Sequence, residues 1–296
     1  MSAADPVVIA AYARTPMGGF QGVLSPAKAT DLGAAAVRAA VERAGLNPEA
    51  VEQIIMGCVL PAGLGQAPAR QAALGAGLPN SVEAVTINKM CGSGMQAAIL
   101  AHDALAAGSA DVIIAGGMES MTNAPYLMTK HRGGARIGHD VISDSMYLDG
   151  LEDAYEPGRL MGSFAEETGR AYQFTRADMD AFAISSLARA KAATESGAFT
   201  REIVPVEVTT RKGTETVSAD EQPMKADPAL GPGGPGRQAR RGEPVHRRRR
   251  SHGHGRGIGL AARCAAHVSE KFARPVKAEA RWAAYLMSRV VPDQEM

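Results

Sequence analysis

The stretch VTINKMCGSGMQ, residues 85–96, is the segment on which the fold prediction depends. Its first three residues, 85–87, are β-branched and predict a short buried strand. The glycines of the Gly-Ser-Gly that begins at Gly92 let the backbone turn sharply and approach other groups closely. An Ala-rich helical pattern follows over residues 96–107. Cys91 therefore lies at a junction between a strand and a helix.

The position of Cys91 at this junction favours one kind of chemistry. A helix N-terminus presents free amide N–H groups and the positive end of the helix dipole. Both favour the thiolate form of a nearby cysteine, and the thiolate is the nucleophile. Most free cysteines are instead small buried hydrophobic residues. From the residues alone, Cys91 is either a nucleophile or part of the core.

Strand and helix patterns alternate on both sides of this stretch, with short links between them. Predicted strands cover residues 7–13, 51–56, 85–87 and 111–115. Predicted helices cover residues 28–44, 68–76 and 96–107, and Gly45 is the predicted stop of the first. The alternation is typical of a mainly parallel sheet covered by helices. Ligands of such sheets bind beyond the carboxyl ends of the strands, and Cys91 follows such an end.

Residues 120–153 have a different character, because they are rich in Gly, Met, His and Arg and show weak periodicity. Long irregular segments in compact enzymes are often lids or binding loops. The elements predicted after them are two helices, a strand and a polar turn, over residues 163–172, 176–196, 202–209 and 220–227. Thr175 and Asp178 resemble a capping box at the start of the second helix.

Two further residues have alternative interpretations. Cys58 lies on an apolar strand pattern and is predicted to be part of the core. Glu119 follows a strand end in the sequence GGMES at residues 116–120. It is either a structural carboxylate that bonds loop amides or a functional group.

Five blocks, in order along the chain, carry a family resemblance. They are ARTP at residues 13–16, VLPAGLGQAPARQ at 59–71, NKMCGSG at 88–94, AGGMESM at 115–121, and GAF at 197–199 with EIVPV at 202–206. NKMCGSG resembles the nucleophile motif of the thiolases, the acetyl-CoA C-acyltransferases. The other four resemble further conserved blocks of that family, and the resemblance covers about residues 7–228.

The resemblance implies a thiolase-like α/β fold, with a mixed, mainly parallel sheet covered by helices and an inserted loop domain. It divides the chain into an α/β core at residues 1–119 and a loop domain at 120–228. In thiolases this loop domain covers the active site and supplies much of the coenzyme A surface. The remaining residues, 229–296, form a tail that does not match the family. The family is usually dimeric or tetrameric, which implies a homo-oligomer or a partner of an intact thiolase.

The resemblance also implies two-step acyl transfer with Cys91 as the acyl carrier. The cysteine takes an acyl group from acyl-CoA as a thioester, and its backbone N–H serves one oxyanion hole. Acetyl-CoA, deprotonated at its α-carbon, then attacks the thioester to give a 3-oxoacyl-CoA such as acetoacetyl-CoA; the reverse direction is thiolysis. Acyl-CoA and coenzyme A are the implied substrates, with no separate cofactor. Met161, in LMG at residues 160–162, matches a family position beside the acyl pocket.

Three blocks that thiolases carry in their second half do not occur in this sequence: Asn-Glu-Ala-Phe, Gly-His-Pro and Cys-x-Gly-Gly-Gly. Cys264 lies in RCAA at residues 263–266, which does not match, and none of His246, His252 and His254 precedes a proline. We therefore assign no catalytic histidine and no second catalytic cysteine.

The composition changes abruptly at Ala229. Residues 229–296 hold 14 Lys and Arg against 5 Asp and Glu, whereas residues 1–228 hold 18 against 26. Residues 231–259 are dominated by Gly, Pro, Arg and His, a composition that predicts an irregular chain. Residues 277–286 are compatible with a helix. A reading frame that slipped near Ala229 explains the change, and sequencing the gene for the missing blocks in another frame tests that hypothesis.

The three cysteines are too widely spaced to indicate a disulfide framework or a metal site, which fits a reducing compartment. The N-terminus shows no signal peptide, and no apolar run reaches the roughly 18 residues of a membrane span. We therefore expect a cytoplasmic protein without membrane contact.

Three functions stay open on the sequence. The first is a thiolase-type acyltransferase, and the second is a catalytically incomplete thiolase-like subunit or remnant that pairs with an intact paralogue. The third is nucleic-acid binding through the basic tail around HRRRR at residues 246–250. Arg/Gly tracts bind phosphate backbones non-specifically, but this tract lacks interleaved aromatics and a known module, so we expect no specific nucleic-acid function.

Overall fold

The computed structural model describes residues 7–225 and the backbone of residues 283–289. These residues belong to two compact units. The first comprises residues 7–150, 198–221 and 283–289, and the second comprises residues 151–197 and 222–225. The predicted boundaries at residues 119 and 228 stay predictions. None of the helices in the described ranges has the length and apolar character needed to cross a membrane.

The elements alternate between strand and helix in the first half of the chain. In chain order they are β1 (Val7–Arg14), α1 (Ala29–Ala44), β2 (Gln53–Gly57), α2 (Pro68–Gly75), β3 (Glu83–Ile87), α3 (Ser93–Ala107), β4 (Val112–Gly117), β5 (Tyr126–Leu127), β6 (Ser143–Asp144), α4 (Met161–Ala171), α5 (Arg176–Glu195), β7 (Val206–Thr210), β8 (Gly213–Val217), α6 (Glu221–Lys225) and β9 (Ala283–Arg289). Short helical turns occupy Pro48–Ala50, Met121–Asn123, His131–Gly133 and Tyr147–Leu151.

A five-stranded mixed sheet forms the centre of the first unit, with the strand order β1-β9-β4-β2-β3. β2 is parallel to both β3 and β4, whereas β9 is antiparallel to β1 and β4. Two small antiparallel pairs, β5 with β6 and β7 with β8, complete the described strands. The arrangement confirms the predicted α/β fold with a mainly parallel sheet.

Helices cover both faces of this sheet. α1 and α2 pack on one face, over a core that includes Ile54 and Ile114. α3 packs on the other face, over Ile55 and Ile113. Successive side chains of a strand point to opposite faces, so adjacent residues of β2 and β4 enter different cores. Strands buried on both faces have continuous apolar sequences, and the runs IIM at residues 54–56 and VIIA at 112–115 show this within the predicted strands.

The predicted end of α1 and the predicted start of α5 are both confirmed, and each has a capping residue in the sequence. Gly45 closes α1 in the left-handed conformation at φ 67°, which a residue without a Cβ adopts at little cost. At the start of α5 the Thr175 hydroxyl accepts a hydrogen bond from the Asp178 N–H at 3.1 Å. The Asp178 carboxylate accepts one from the Thr175 N–H at 3.0 Å, which completes the capping box.

Three local predictions differ from the structure. β3 is an edge strand rather than a buried one, and Val85 is 52% exposed because β2 is its one neighbour in the described sheet. Of the predicted strand at residues 202–209, only 206–209 belong to a strand, β7, which is the first arm of the β7–β8 hairpin; the second arm was not predicted. The predicted polar turn at 220–227 contains the short helix α6.

β9 is the largest departure from the sequence prediction. Its residues belong to a tail predicted to be irregular, with a helix-compatible run at 277–286, yet they form a strand between β1 and β4. Leu286 is paired with Ala11 of β1 and with Ile114 of β4. Within the described residues, β9 is the only strand that joins β1 to the rest of the sheet. The predicted irregular stretch at residues 231–259 lies outside the described residues.

A buried ion cluster joins the end of β1 to the chain that returns at residues 198–221. Arg14 is 2% exposed, and its guanidinium donates two hydrogen bonds to the Asp220 carboxylate, at 2.7 and 2.9 Å. It donates a third to Glu202 at 2.8 Å and lies 5.2 Å from the centre of the Phe199 ring. A planar guanidinium suits such bidentate pairing.

Replacement of Arg14 by methionine is expected to lower the free energy of unfolding by about 3–5 kcal/mol, because it leaves buried carboxylates without their cation. Urea unfolding followed by circular dichroism measures the change. Arg189→Met, the same substitution at an exposed arginine, is the control and should change stability by less than about 0.5 kcal/mol. Equal midpoints for the two variants would contradict a stabilising role for the cluster.

Candidate active site

The carboxyl ends of three parallel strands meet at one edge of the sheet. Gly57 at the end of β2 is paired with Ile87 at the end of β3 and with Gly117 at the end of β4. The residues that follow these ends are Cys58, the segment 88–92 and Glu119. The parallel register therefore gathers Cys58, Cys91 and Glu119 at one edge of the sheet.

Cys91 lies in a tight turn between β3 and α3, and it is exposed. The Gly92 N–H donates to the Lys89 carbonyl at 3.1 Å and closes the turn. α3 begins two residues after Cys91, so the cysteine stands at the N-terminal end of a 15-residue helix. This is the arrangement of strand, cysteine and helix that the sequence predicts.

The residue before the cysteine has an unusual backbone conformation. Met90 has a φ of 49°, in the left-handed region that residues with a Cβ seldom occupy. The Asn88 side-chain oxygen accepts a hydrogen bond from the Met90 N–H at 2.9 Å. Such a bond from an Asn side chain to the main chain two residues on stabilises a turn. Backbone strain of this kind is concentrated at functional sites.

Ser93 fixes the turn from within, and its side chain is fully buried. Its hydroxyl accepts a hydrogen bond from the Lys89 N–H at 2.8 Å and donates one to the Met90 carbonyl at 2.6 Å. Gly57 lies so close that a Cβ at that position would be 2.6 Å from the Ser93 Cβ. β2 therefore supports the turn directly, and the position requires glycine.

Glu119 forms hydrogen bonds with the main chain that follows β2. This is the structural role, one of the two alternatives that the sequence left open. Its carboxylate accepts hydrogen bonds from the Val59 N–H at 2.7 Å and the Leu60 N–H at 3.1 Å. The Cys58 thiol donates to it over 3.6 Å. Burial raises the pKa of Glu119, although the two backbone bonds oppose that shift.

Cys58 is a core residue, as predicted, with 1% of its surface exposed. Burial and the nearby charge of Glu119 raise the pKa of its thiol to about 12. The two cysteines at this edge of the sheet thus differ: Cys91 is exposed, and Cys58 is a buried thiol that stays protonated at neutral pH.

Met161 belongs to the second unit, where it is the first residue of α4 and is 38% exposed. Its assignment to an acyl pocket stays a prediction, as does the catalytic assignment of Cys91. Among the described residues, no group of three His, Cys, Asp or Glu side chains could hold a metal ion.

A family model described as "Thiolase, N-terminal domain" matches residues 7–228. The chain belongs to the thiolase family. This thiolase is 50% identical to "Acetyl-CoA acetyltransferase 2" of Arabidopsis thaliana over 215 residues. Those residues cover 73% of this chain and 53% of that protein. It is 46% identical over 217 residues to "Probable acetyl-CoA acetyltransferase" of Escherichia coli strain K12, covering 73% of this chain and 55% of that protein. The chain spans about half the length of the curated relatives it matches.

Solved thiolase structures have the same fold. The Acat5 thiolase from Ascaris suum, crystallised in complex with coenzyme A, matches with a TM-score of 0.70 and 38% identity, over 76% of this chain and 56% of that one. The Bacillus anthracis acetyl-CoA acetyltransferase matches with a TM-score of 0.72 and 36% identity, over 75% of this chain and 56% of that one. The predicted thiolase-like fold is confirmed.

Iodoacetamide is expected to label Cys91 of this thiolase at pH 8 and to spare Cys58. With a pKa of about 12, roughly one Cys58 thiol in ten thousand is ionised at that pH. Mass spectrometry of the peptides that carry each cysteine measures both rates. Labelling in urea is the control, because unfolding exposes both thiols and should make their rates similar. Comparable labelling of the two residues in the folded chain would contradict the difference in burial.

The sequence did not predict several groups that shape the turn around Cys91. The left-handed Met90, the buried Ser93 hydroxyl and the close approach of Gly57 were not predicted. The Gly-rich motif indicated a sharp turn. It did not indicate that Gly57 contacts this turn, because that contact depends on how β2 packs. Asn88, two residues before the strained Met90, fits an Asx turn and could have been proposed.

Proposed function

We propose that this chain takes part in thiolase-type acyl transfer, with Cys91 as the residue that carries the acyl group. The thiolate attacks the carbonyl carbon of an acyl-CoA and forms a new carbon–sulfur bond. The bond to coenzyme A breaks, and the departing thiolate takes up a proton. The complete reaction then joins the acyl group to acetyl-CoA and gives a 3-oxoacyl-CoA and coenzyme A, or runs in reverse as thiolysis.

One observation carries the proposal: an exposed cysteine, in the sequence of the thiolase nucleophile motif, stands at the start of α3. The positive end of the helix dipole favours a negative charge at that place. The Cys91 N–H is available by resemblance as one donor of an oxyanion hole. The names of the relatives, acetyl-CoA acetyltransferases, support acetyl-CoA as the acyl donor.

The remaining assignments are part of the same proposal. Met161 contacts the acyl group, and coenzyme A thioesters are the substrates, without a further cofactor or metal. The coenzyme A complex of the Ascaris suum thiolase supports coenzyme A as a ligand. We further propose a cytoplasmic protein that works as a homo-oligomer or beside an intact thiolase.

Brief incubation with acetyl-CoA, followed by intact-protein mass spectrometry, tests the proposal. The expected result is a gain of one acetyl group, located by digestion in the peptide that carries Cys91. Acetyl phosphate at the same concentration is the control for non-specific acetylation. A folded chain that gains no acetyl group from acetyl-CoA would contradict the proposed role.

The second candidate function is a catalytically incomplete subunit that pairs with an intact paralogue. It is favoured by the absence from the sequence of the three second-half blocks that carry the remaining thiolase chemistry. The two candidates differ in the condensation step. Acetylated Cys91 together with production of acetoacetyl-CoA supports the first candidate. Acetylation without condensation supports the second.

A further inference from the structure

We propose that Glu119 is a positioning residue for the Cys91 nucleophile, and that it acts through the main chain at Val59 and the side chain of Asn88. The inference rests on the proposed function of Cys91 and adds a support for it. No part of the acyl-transfer chemistry above uses Glu119, although the side chain is partly buried at the same edge of the sheet.

Glu119 is attached to one short segment, residues 58–60. Both carboxylate oxygens are engaged, one by the Val59 N–H and the other by the Leu60 N–H and the Cys58 thiol. Within the described residues, no lysine or arginine is among these contacts. Burying a carboxylate without a cation is costly, and hydrogen bonds from one loop are what offset the cost here.

Asn88 connects that segment to the turn before Cys91. The Asn88 side-chain N–H donates to the Val59 carbonyl, over 3.4 Å. The oxygen of the same side chain accepts from the Met90 N–H at 2.9 Å. Asn88 therefore bridges the segment that Glu119 holds and the residue directly before Cys91. The Cys58 N–H also donates to the Ile87 carbonyl at 3.0 Å, which ties the same segment to the end of β3.

A carboxylate suits position 119 because two main-chain N–H groups are bound there at once. Glutamine at position 119 would offer one acceptor oxygen and would turn its amide N–H₂ toward a donor. Either Val59 or Leu60 would then lose its partner. The freed segment would hold Asn88 less firmly, and Cys91 would lose its fixed place beside the amide groups at the start of α3.

The test measures alkylation of Cys91 by iodoacetamide between about pH 6 and pH 9. Glu119→Gln is expected to slow alkylation at pH 7 about tenfold, the effect of one lost hydrogen bond, and to move the pH profile to higher pH. Loss of a negative charge alone would favour the thiolate and move the profile to lower pH. The direction of the shift in the profile therefore separates a positioning role from a purely electrostatic effect of Glu119. Glu49→Gln, at an exposed carboxylate, is the matched control and should leave the profile unchanged.

A double-variant cycle tests the route through Asn88. Asn88→Ala alone is expected to slow alkylation to a similar extent, and adding it to Glu119→Gln should have little further effect. A wild-type profile in Glu119→Gln, a shift to lower pH, or effects that multiply in the double variant would overturn the proposal. If thermal unfolding shows that Glu119→Gln does not fold, Asn88→Ala is the deciding variant, because Asn88 is exposed. Alkylation of Cys91 at the wild-type rate in Asn88→Ala then overturns the proposal.

This experiment separates the inference from the proposed function, since alkylation needs no acyl-CoA. A chain that accepts no acetyl group but shows the expected shift would contradict acyl transfer and support the role of Glu119. If Glu119→Gln and Asn88→Ala are both acetylated normally, and Cys91 is alkylated in both as in the wild type, acyl transfer is supported and the positioning role of Glu119 is overturned.

Discussion

Replacement of Cys91 by serine is expected to remove the acetyl adduct and to lower the rate of acetyl transfer by at least about a thousandfold. A thiol is partly ionised near neutral pH and is intrinsically nucleophilic, whereas a serine hydroxyl needs an adjacent base. The side-chain hydrogen bonds around the turn involve Asn88, Lys89, Ser93 and Gln96, and none of them includes a histidine or a carboxylate. Intact-protein mass spectrometry after incubation with acetyl-CoA measures the adduct.

Cys264→Ser is the matched control, because it makes the same substitution at another cysteine of the chain. This variant should gain one acetyl group at the wild-type rate. Persistence of the full adduct in Cys91→Ser would place the acyl group on another residue. Such a result would remove the basis for Cys91 as the acyl carrier.

Replacement of Leu286 by proline is expected to lower the free energy of unfolding by roughly 3 kcal/mol or more, because a backbone carbonyl left without its donor costs about 1–3 kcal/mol and the pairing of the strand with both neighbours is disturbed as well. Leu286 lies in the middle of β9, where it is paired with Ala11 on one side and Ile114 on the other. Proline removes a backbone N–H and is found essentially at edges or bulges, not in a central strand. Because β9 joins β1 to β4, its loss would also detach β1 from the sheet.

Urea unfolding followed by circular dichroism measures this effect, with Leu286→Ala as the control. Alanine keeps the backbone N–H, so the difference between the two variants isolates the contribution of the strand pairing. The proline variant should unfold at a clearly lower urea concentration. Equal midpoints would contradict the place of β9 in the sheet.

The position of β9 shows that part of the tail at residues 229–296 belongs to the sheet. The family match ends at residue 228, yet a segment beyond that match supplies a strand of the sheet. The chain after residue 228 therefore contributes to the fold at one described place. The slipped reading frame stays a hypothesis that sequencing of the gene tests.

Local signals made much of the fold predictable. The apolar runs within β2 and β4 predicted strands, and their parallel order followed from the alternation with helices. Gly45 marked the end of α1, and Thr175 with Asp178 marked the start of α5. Each of these signals acts within one turn of helix or one strand, so the sequence contains it in full.

The sequence by itself determined the order of strands and helices from β1 to β4, the family, and the place of Cys91 between β3 and α3. The tertiary structure alone decided that β9 pairs with β1 from the opposite end of the chain, and that Val85 lies on an edge. It also decided that Gly57 presses on Ser93 and that Glu119 holds the chain after β2. These contacts join residues far apart in sequence, and no local pattern specifies which of many possible neighbours a residue meets once the layers pack.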